Sequence, residues 1–164
     1  MNKKGIIKSL ITMVLSLVIV FSFTLPVNAE ARENLGKIVD GSELTDKMYS
    51  EAVDASVVRG NILNQGLAKI TNNGNGTVNI YGAVLGSVTC DKMTLKLTIQ
   101  QYRNGGWYNY DSYSDVAYNT SFMSRSYNVG VAAGYYYRVK AACVAQKGST
   151  TESKAPVTDG IWIG

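Results

Sequence analysis

Histidine is absent from this chain of 164 residues, and cysteine and proline occur only twice each. Without histidine, neither a Ser-His-Asp nor a Cys-His arrangement can be built. Zinc sites with imidazole ligands are excluded too, and two cysteines are too few for a structural thiolate site. The acids Asp91, Asp111, Asp115, Glu152 and Asp159 are scattered through turn-like stretches, so a glycosidase-type carboxylate pair could arise only through folding. "DSYSD" lacks the acid density and spacing of a calcium loop. The glycines fall in turn signals and form no phosphate-cradling loop. The sequence therefore points away from an enzyme, and no cofactor or metal is expected. A hydrolase built on the scattered carboxylates ranks last among the readings.

A second long apolar run is also lacking. The first spans Leu10 to Leu25, follows Lys3, Lys4 and Lys8, and ends in "LPVNAE". That is the three-part pattern of a secretory signal peptide, residues 1–29, with cleavage expected after Ala29. An uncleaved anchor is the alternative, but the run is shorter than the ~20 apolar residues of a typical span. Cleavage leaves 164 − 29 = 135 residues, enough for one domain with a core, and no membrane span. The expected location is secreted, either extracellular or associated with the cell wall.

Charge is unevenly spread. The chain has 16 cations and 12 anions, and three cations leave with the signal, so the remainder carries only 13 − 12 = +1. Residues 30–58 hold seven acids and three bases, net −4, whereas 59–164 hold ten bases and five acids, net +5. We read 30–58 as an acidic lead segment, extended or partly ordered, and 59–164 as the folded domain.

From Arg59 onward the hydrophobic period is two. "GTVNIYGAVLG" puts Val78, Ile80, Gly82 and Val84 on one side, and "MTLKLTIQQY" does the same with Leu95, Leu97 and Ile99. "NNGNG" and "RNGG" are turn signals, because Asn and Gly tolerate the positive φ of tight hairpins. "WYNYDSY", "SYNVGV" and "GIWI" supply further strands. Such a pattern predicts an all-β fold, an antiparallel β-sandwich or a barrel.

"GYYYRVKAACV" sets three tyrosines side by side. Strict alternation puts Tyr137, Val139, Ala141 and Cys143 inward, and Tyr136, Arg138, Lys140 and Ala142 outward. The inward set reads as core, with the Tyr137 hydroxyl needing a backbone partner. The outward set carries two cations, so Tyr136 and both cations are expected to face water. A tyrosine near the start of a late strand also resembles the tyrosine corner of immunoglobulin-like sandwiches. "YYYRVKA", "KGSTTES" and the last strand are together similar to the final strands of a fibronectin type III or immunoglobulin-like domain.

A wider resemblance covers nearly all of the chain after the signal. "DGSELTD", "GNGTVNIYG", "TCDKMTLKLTIQQY", "GYYYRVKA" and "KGSTTESKAPVTDGIWI" resemble a family of small secreted Firmicutes proteins described only as a domain of unknown function. The resemblance implies a secreted single β-domain. It brings no activity and no functional residues with it.

Two cysteines in an exported chain favour one disulfide, Cys90–Cys143, the alternative being two buried thiols. In sandwich order, both would lie near loops at the same end. For function, the expectation is a non-catalytic module that binds a cell-surface glycan, wall polymer or protein. Tyr81, Tyr102, Trp107, Tyr108, Tyr110, Tyr113 and Tyr136 are the aromatic candidates, against cross-strand packing as the plainer role. In an immunoglobulin-like order the third and sixth strands are neighbours. Lys96, Thr98, Gln100 and Tyr102 would then share a basic, aromatic face with Tyr136, Arg138 and Lys140, suited to an anionic partner. The setting favours a wall polymer or acidic glycan over nucleic acid, and the acidic lead could cover the same face. The alternative is a structural or assembly component of the envelope, with subunits joined by sheet edges and no small ligand.

Overall fold

The computed structural model describes residues 34–55 and 62–164. The expected signal peptide and its cleavage point lie outside the described residues. Nine strands account for most of the rest: β1 (Ile38–Val39), β2 (Ser42–Thr45), β3 (Tyr49–Ala55), β4 (Leu63–Gly74), β5 (Thr77–Arg103), β6 (Gly106–Gly130), β7 (Tyr135–Lys147), β8 (Thr150–Lys154) and β9 (Gly160–Ile163). The fold is all-β. Among the described residues no helix is long and apolar enough to cross a membrane.

The strands form one sheet in the order β1-β2-β9-β7-β5-β4-β3, with β6 on β5 and β8 on β7. One contact, β2 with β9, is parallel, so the sheet is mixed. The acidic lead supplies β1, β2 and β3, and the last of these pairs with β4 from Tyr49↔Thr71 to Ala55↔Gln65.

The turn signals act where the sequence places them. Gly74, Asn75 and Gly76 turn β4 into β5 with φ of 80°, 53° and 66°, and Asn104 and Gly105 turn β5 into β6 with φ of 51° and 79°. The two runs "GTVNIYGAVLG" and "MTLKLTIQQY" are not separate strands, however. Both belong to β5, because β6 pairs with each in turn. The first half of β5 is flanked by β4, from Leu63↔Gly86 to Gly74↔Thr77, and the second by β7, from Lys92↔Gln146 to Gln101↔Tyr137. Between them the β5–β6 ladder slips, from Leu85↔Phe122 to Cys90↔Thr120. There β5 and β6 bend together and the sheet curls over itself.

The curl brings the inner faces of the two halves into contact. A Cβ on Gly82, in the first half of β5, would stand 2.5 Å from Leu97 Cδ2 in the second half. The approach therefore requires glycine at that position. Between the halves lies the main core, including Ile70, Val78, Ile80, Met93, Leu95, Leu97, Ile99, Tyr137, Val139 and Ile161, all buried. The inward residues expected from alternation in β5 and β7 all point into this core.

The disulfide is not formed: Cys90 and Cys143 are both buried free thiols. Cys143 sits opposite Leu95 of β5, five residues along the strand from Cys90. At ~3.3 Å per residue that is roughly 16 Å, far beyond the ~7 Å limit between bridged Cα atoms. Cys143 packs instead against Gly66 across the curl, and burial pushes its thiol up to about 11.

Candidate functional site

The outer face of β6, β5 and β7 is the surface that alternation picked out, and the ladders define its rows. Thr98 lies between Ser112 of β6 and Lys140 of β7, and Lys96 lies between Ser114 and Ala142. One row further along β5, Gln100 is flanked by Asn109 and Arg138. The two segments expected to be the third and sixth strands, the second half of β5 and β7, are thus neighbours, and their outward residues share a surface.

That surface has two ends with opposite fates. At one end Lys96 and Lys140 are exposed beside half-buried Thr98 and Gln100. With Asn109 and Ala142 they line a shallow trough of about 300 Å³. A second depression of about 240 Å³ continues from Lys96, Thr98 and Asn109 to Asp111 and Ser112. The trough floor is held in register by side-chain bonds. Gln100 Nε2 donates to Asn109 Oδ1 at 2.9 Å, while Gln100 Oε1 accepts from Arg138 Nε at 2.8 Å.

At the other end the same face is covered. Tyr102, Tyr136 and Arg138 are only 8%, 3% and 6% exposed, which corrects the expectation that Tyr136 and Arg138 face water. The β1–β2 hairpin lies over them. Leu44 of β2 is fully buried against Tyr102 and Tyr136, with Val39, Trp107 and Trp162 around the cluster. The rings meet edge to face: Tyr102–Trp107 at 5.4 Å and Tyr136–Trp162 at 5.0 Å between centroids. Trp107 Nε1 donates to Val39 O at 3.1 Å, which fixes the hairpin to the ring.

Arg138 explains how a cation can be buried here. Its Nη1 donates to Ser42 Oγ at 2.9 Å and to the carbonyls of Val39 and Asp40 at 3.4 Å, and its guanidinium lies 4.4 Å from the Trp107 ring. Carbonyl dipoles, a hydroxyl and a π face replace its water shell. Desolvation pulls its pKa below the ordinary arginine value, and the Asp40 charge offsets this in part. The arginine is a fastener for the lead segment, and only Lys96 and Lys140 of the expected basic set reach solvent at the trough.

Tyr137 sits on the opposite, inner face. Its hydroxyl donates to Ala132 O at 2.8 Å and accepts from Gln101 Nε2 at 2.8 Å, satisfying the predicted need for a backbone partner. Burial is the main reason its pKa is pushed up to about 12.

The remaining aromatics divide in a way the sequence concealed. A bulge in β6 leaves Tyr110 without a partner, between Asn109↔Gln100 and Asp111↔Ile99. It reverses the phase of alternation, so Trp107 and Asn109 share the outer face with Ser112 and Ser114. Tyr113 turns inward and stacks on Tyr127 at 4.4 Å. Tyr127 donates a short hydrogen bond to Asp115, which also pairs with Arg125 at 3.2 Å. The Tyr127 hydrogen bond is the largest influence holding the Asp115 carboxyl below its ordinary value, with Arg125 adding to it. Asn109 and Ala142 were missed as lining residues, and the bulge is why Asn109 was hidden.

Chemically the trough offers two ammonium groups, one hydroxyl and two amides to an extended polar ligand. Among the described residues no three His, Cys, Asp or Glu side chains gather where they could hold a metal ion. No family model and no curated protein matches the chain.

Proposed function

We propose that this is a secreted, non-catalytic binding module that takes an anionic wall polymer or acidic glycan along the outer face of β6, β5 and β7. The observation that carries this reading is the exposed pair Lys96 and Lys140, in adjacent rows of β5 and β7, which line one trough with Thr98, Gln100 and Asn109. Two like charges close together on a rigid sheet raise the local potential, so an anion is attracted and salt weakens the contact. A shallow, elongated trough suits a chain-like ligand better than a compact one. A sandwich-like fold is part of this reading, supported by the packing of the curled sheet's inner faces and by the Tyr137 hydroxyl bonded to Ala132 O five residues upstream. The resemblance to secreted Firmicutes proteins supports an extracellular or wall-associated setting.

The test is retention on purified Gram-positive cell wall at low and high salt. The native chain is retained at low salt and released at high salt, whereas Lys96→Ala with Lys140→Ala passes through. Equal retention of the double variant would overturn the assignment of this face.

A second reading, a structural component of the envelope without a small ligand, is favoured by one separate observation, the uncovered edge of β6.

A further inference from the structure

Strand β6 is an edge. It runs for 25 residues and, among the described residues, pairs only with β5. Free edges of that length are usually blunted with lysine, proline or short strands. β6 contains no lysine and no proline, and its charges are Asp111, Asp115 and Arg125. Its protection is the Tyr110 bulge, the bend at Asn119, where φ is 50°, and these three charges on its inner face. Large apolar side chains are nevertheless exposed close to that bend: Val116 at 40%, Tyr118 at 66% and Phe122 at 51%.

The charges on β6 complement each other in one antiparallel register. Asp111 accepts from Ser112 N and from the Tyr113 hydroxyl, and it forms no ion pair among the described residues. Arg125 is bound to Asp115, yet its side chain is still 40% exposed. Two copies of β6 laid antiparallel with Asp111 opposite Arg125 have their two-fold axis at (111 + 125)/2 = 118. Tyr118 then meets Tyr118 of the second copy on the axis, and Val116 and Phe122 of both copies close around it. Both pairs of opposite charges fall on the flanks, on the inner face of the ribbon, while the apolar side chains meet on its outer face. An apolar centre with a charged rim is the usual anatomy of a protein–protein interface. The bend does not obstruct this pairing, because a two-fold through the bend lays each half of one β6 beside the other half of its mate. The contact is isologous and closes at two subunits.

We propose that β6 is the interface of a homodimer, formed by antiparallel edge-to-edge pairing of two copies about Tyr118. The pairing joins two curled sheets and brings Ser124 of one copy beside Ser112 of the other. It extends the polar outer face past β6 without depending on what that face binds.

The test uses the full chain purified from a secreting host, with mass measured by light scattering on a sizing column. The expected mass is that of two chains. Val116→Lys, which puts a charge at the centre of the apolar cluster, gives one chain. Asp111→Asn weakens association by about two- to fivefold, as loss of a cross-strand charge pair should. Circular dichroism confirms that both variants keep the native sheet. Position 118 is its own partner, so Tyr118→Cys forms a covalent dimer on mild oxidation. Asn128→Cys, exposed on the same strand but away from the axis, does not. A native chain that is monomeric at high concentration, a dimer that survives Val116→Lys, or equal cross-linking at 118 and 128 would each overturn the proposal. Retention on cell wall is read separately, so failure here leaves the trough assignment standing.

Discussion

The two ends of the outer face are made from the same three strands by the same alternation, yet one is a trough and the other is a second small core. At the open end Lys96 and Lys140 stand in solvent. At the covered end, on the same strands, Tyr102, Tyr136 and Arg138 are buried beneath the β1–β2 hairpin. Alternation determines which face a side chain is on. Whether that face is wet depends on a segment some sixty to a hundred residues away in sequence, as the Arg138–Ser42 separation of 96 shows. A cation at an outward position is therefore weak evidence for exposure when carbonyls and an indole can surround it.

The largest effects should come from breaking the cover. Leu44 is fully buried in the cluster with Tyr102 and Tyr136. Leu44→Ala should cost about 2–4 kcal/mol, from lost transfer energy and the cavity left behind. Arg138→Ala should cost about 2–3 kcal/mol, because Gln100 and Ser42 lose a buried donor and the Trp107 ring loses its packing partner. Chemical denaturation of each variant measures the cost. A loss below about 0.5 kcal/mol for either would mean that the hairpin is laid on the face rather than built into it.

A smaller effect comes from the inner face. Tyr137→Phe keeps the ring and strips Ala132 O and Gln101 Nε2 of a partner. The cost should be about 1–2 kcal/mol. The same hydroxyl gives a pH signature. Its pKa is raised in the fold to about 12, so the folded state holds this proton more tightly than the unfolded chain. Its contribution is complete below the unfolded tyrosine value near 10 and is lost as pH rises toward 12. The native chain should lose stability more steeply across that window than the Phe variant does. Parallel curves would show that Tyr137 ionises no differently in the two states.

The open end should tolerate what the covered end does not. Lys96→Ala and Lys140→Ala should each change stability by less than about 0.5 kcal/mol, since both ammonium groups are exposed. Thermal melts of the single variants check this. A loss comparable to that of Arg138→Ala would mean that the trough lysines are structural, and the contrast between the two ends would fail.

Much of the fold was legible because hydrophobic alternation and hairpin turns are local. Val78 to Val84, Leu95 to Ile99 and Tyr137 to Cys143 all face as their period predicts. Asn104 and Gly105 turn where their φ preferences allow. The continuity of β5 was hidden, because the irregular stretch between Leu85 and Cys90 resembles a loop in sequence while β6 bridges it in space. The bulge at Tyr110 was hidden for a related reason: one extra residue leaves no compositional trace and reverses every facing after it. Of the candidate site, Lys96 and Lys140 were legible. The burial of Tyr136 and Arg138 was not, because it depends on where the acidic lead folds back.

The cysteines show the same limit most plainly, and the smallest expected effect tests them. Two cysteines and an expected export signal argue for a bond through compartment chemistry, which says nothing about distance. Register supplies the distance: Cys143 stands across from Leu95, and Cys90 lies five residues back along the same half of β5, opposite Thr120 of β6 and next to the bend. Bridging them would require β7 to slide by about five residues along β5, roughly 16 Å, against a full ladder of backbone bonds. Each thiol is instead satisfied locally, Cys90 on Val88 O at 3.4 Å and Cys143 on Ala83 O at 3.5 Å. The melting temperature should therefore be the same with and without reductant. A thiol reagent should count two free groups after denaturation without reduction, and few before it, since both are buried. A clear drop in melting temperature on reduction would show that the chain can close a bond that this register forbids, and would shift β7 along β5.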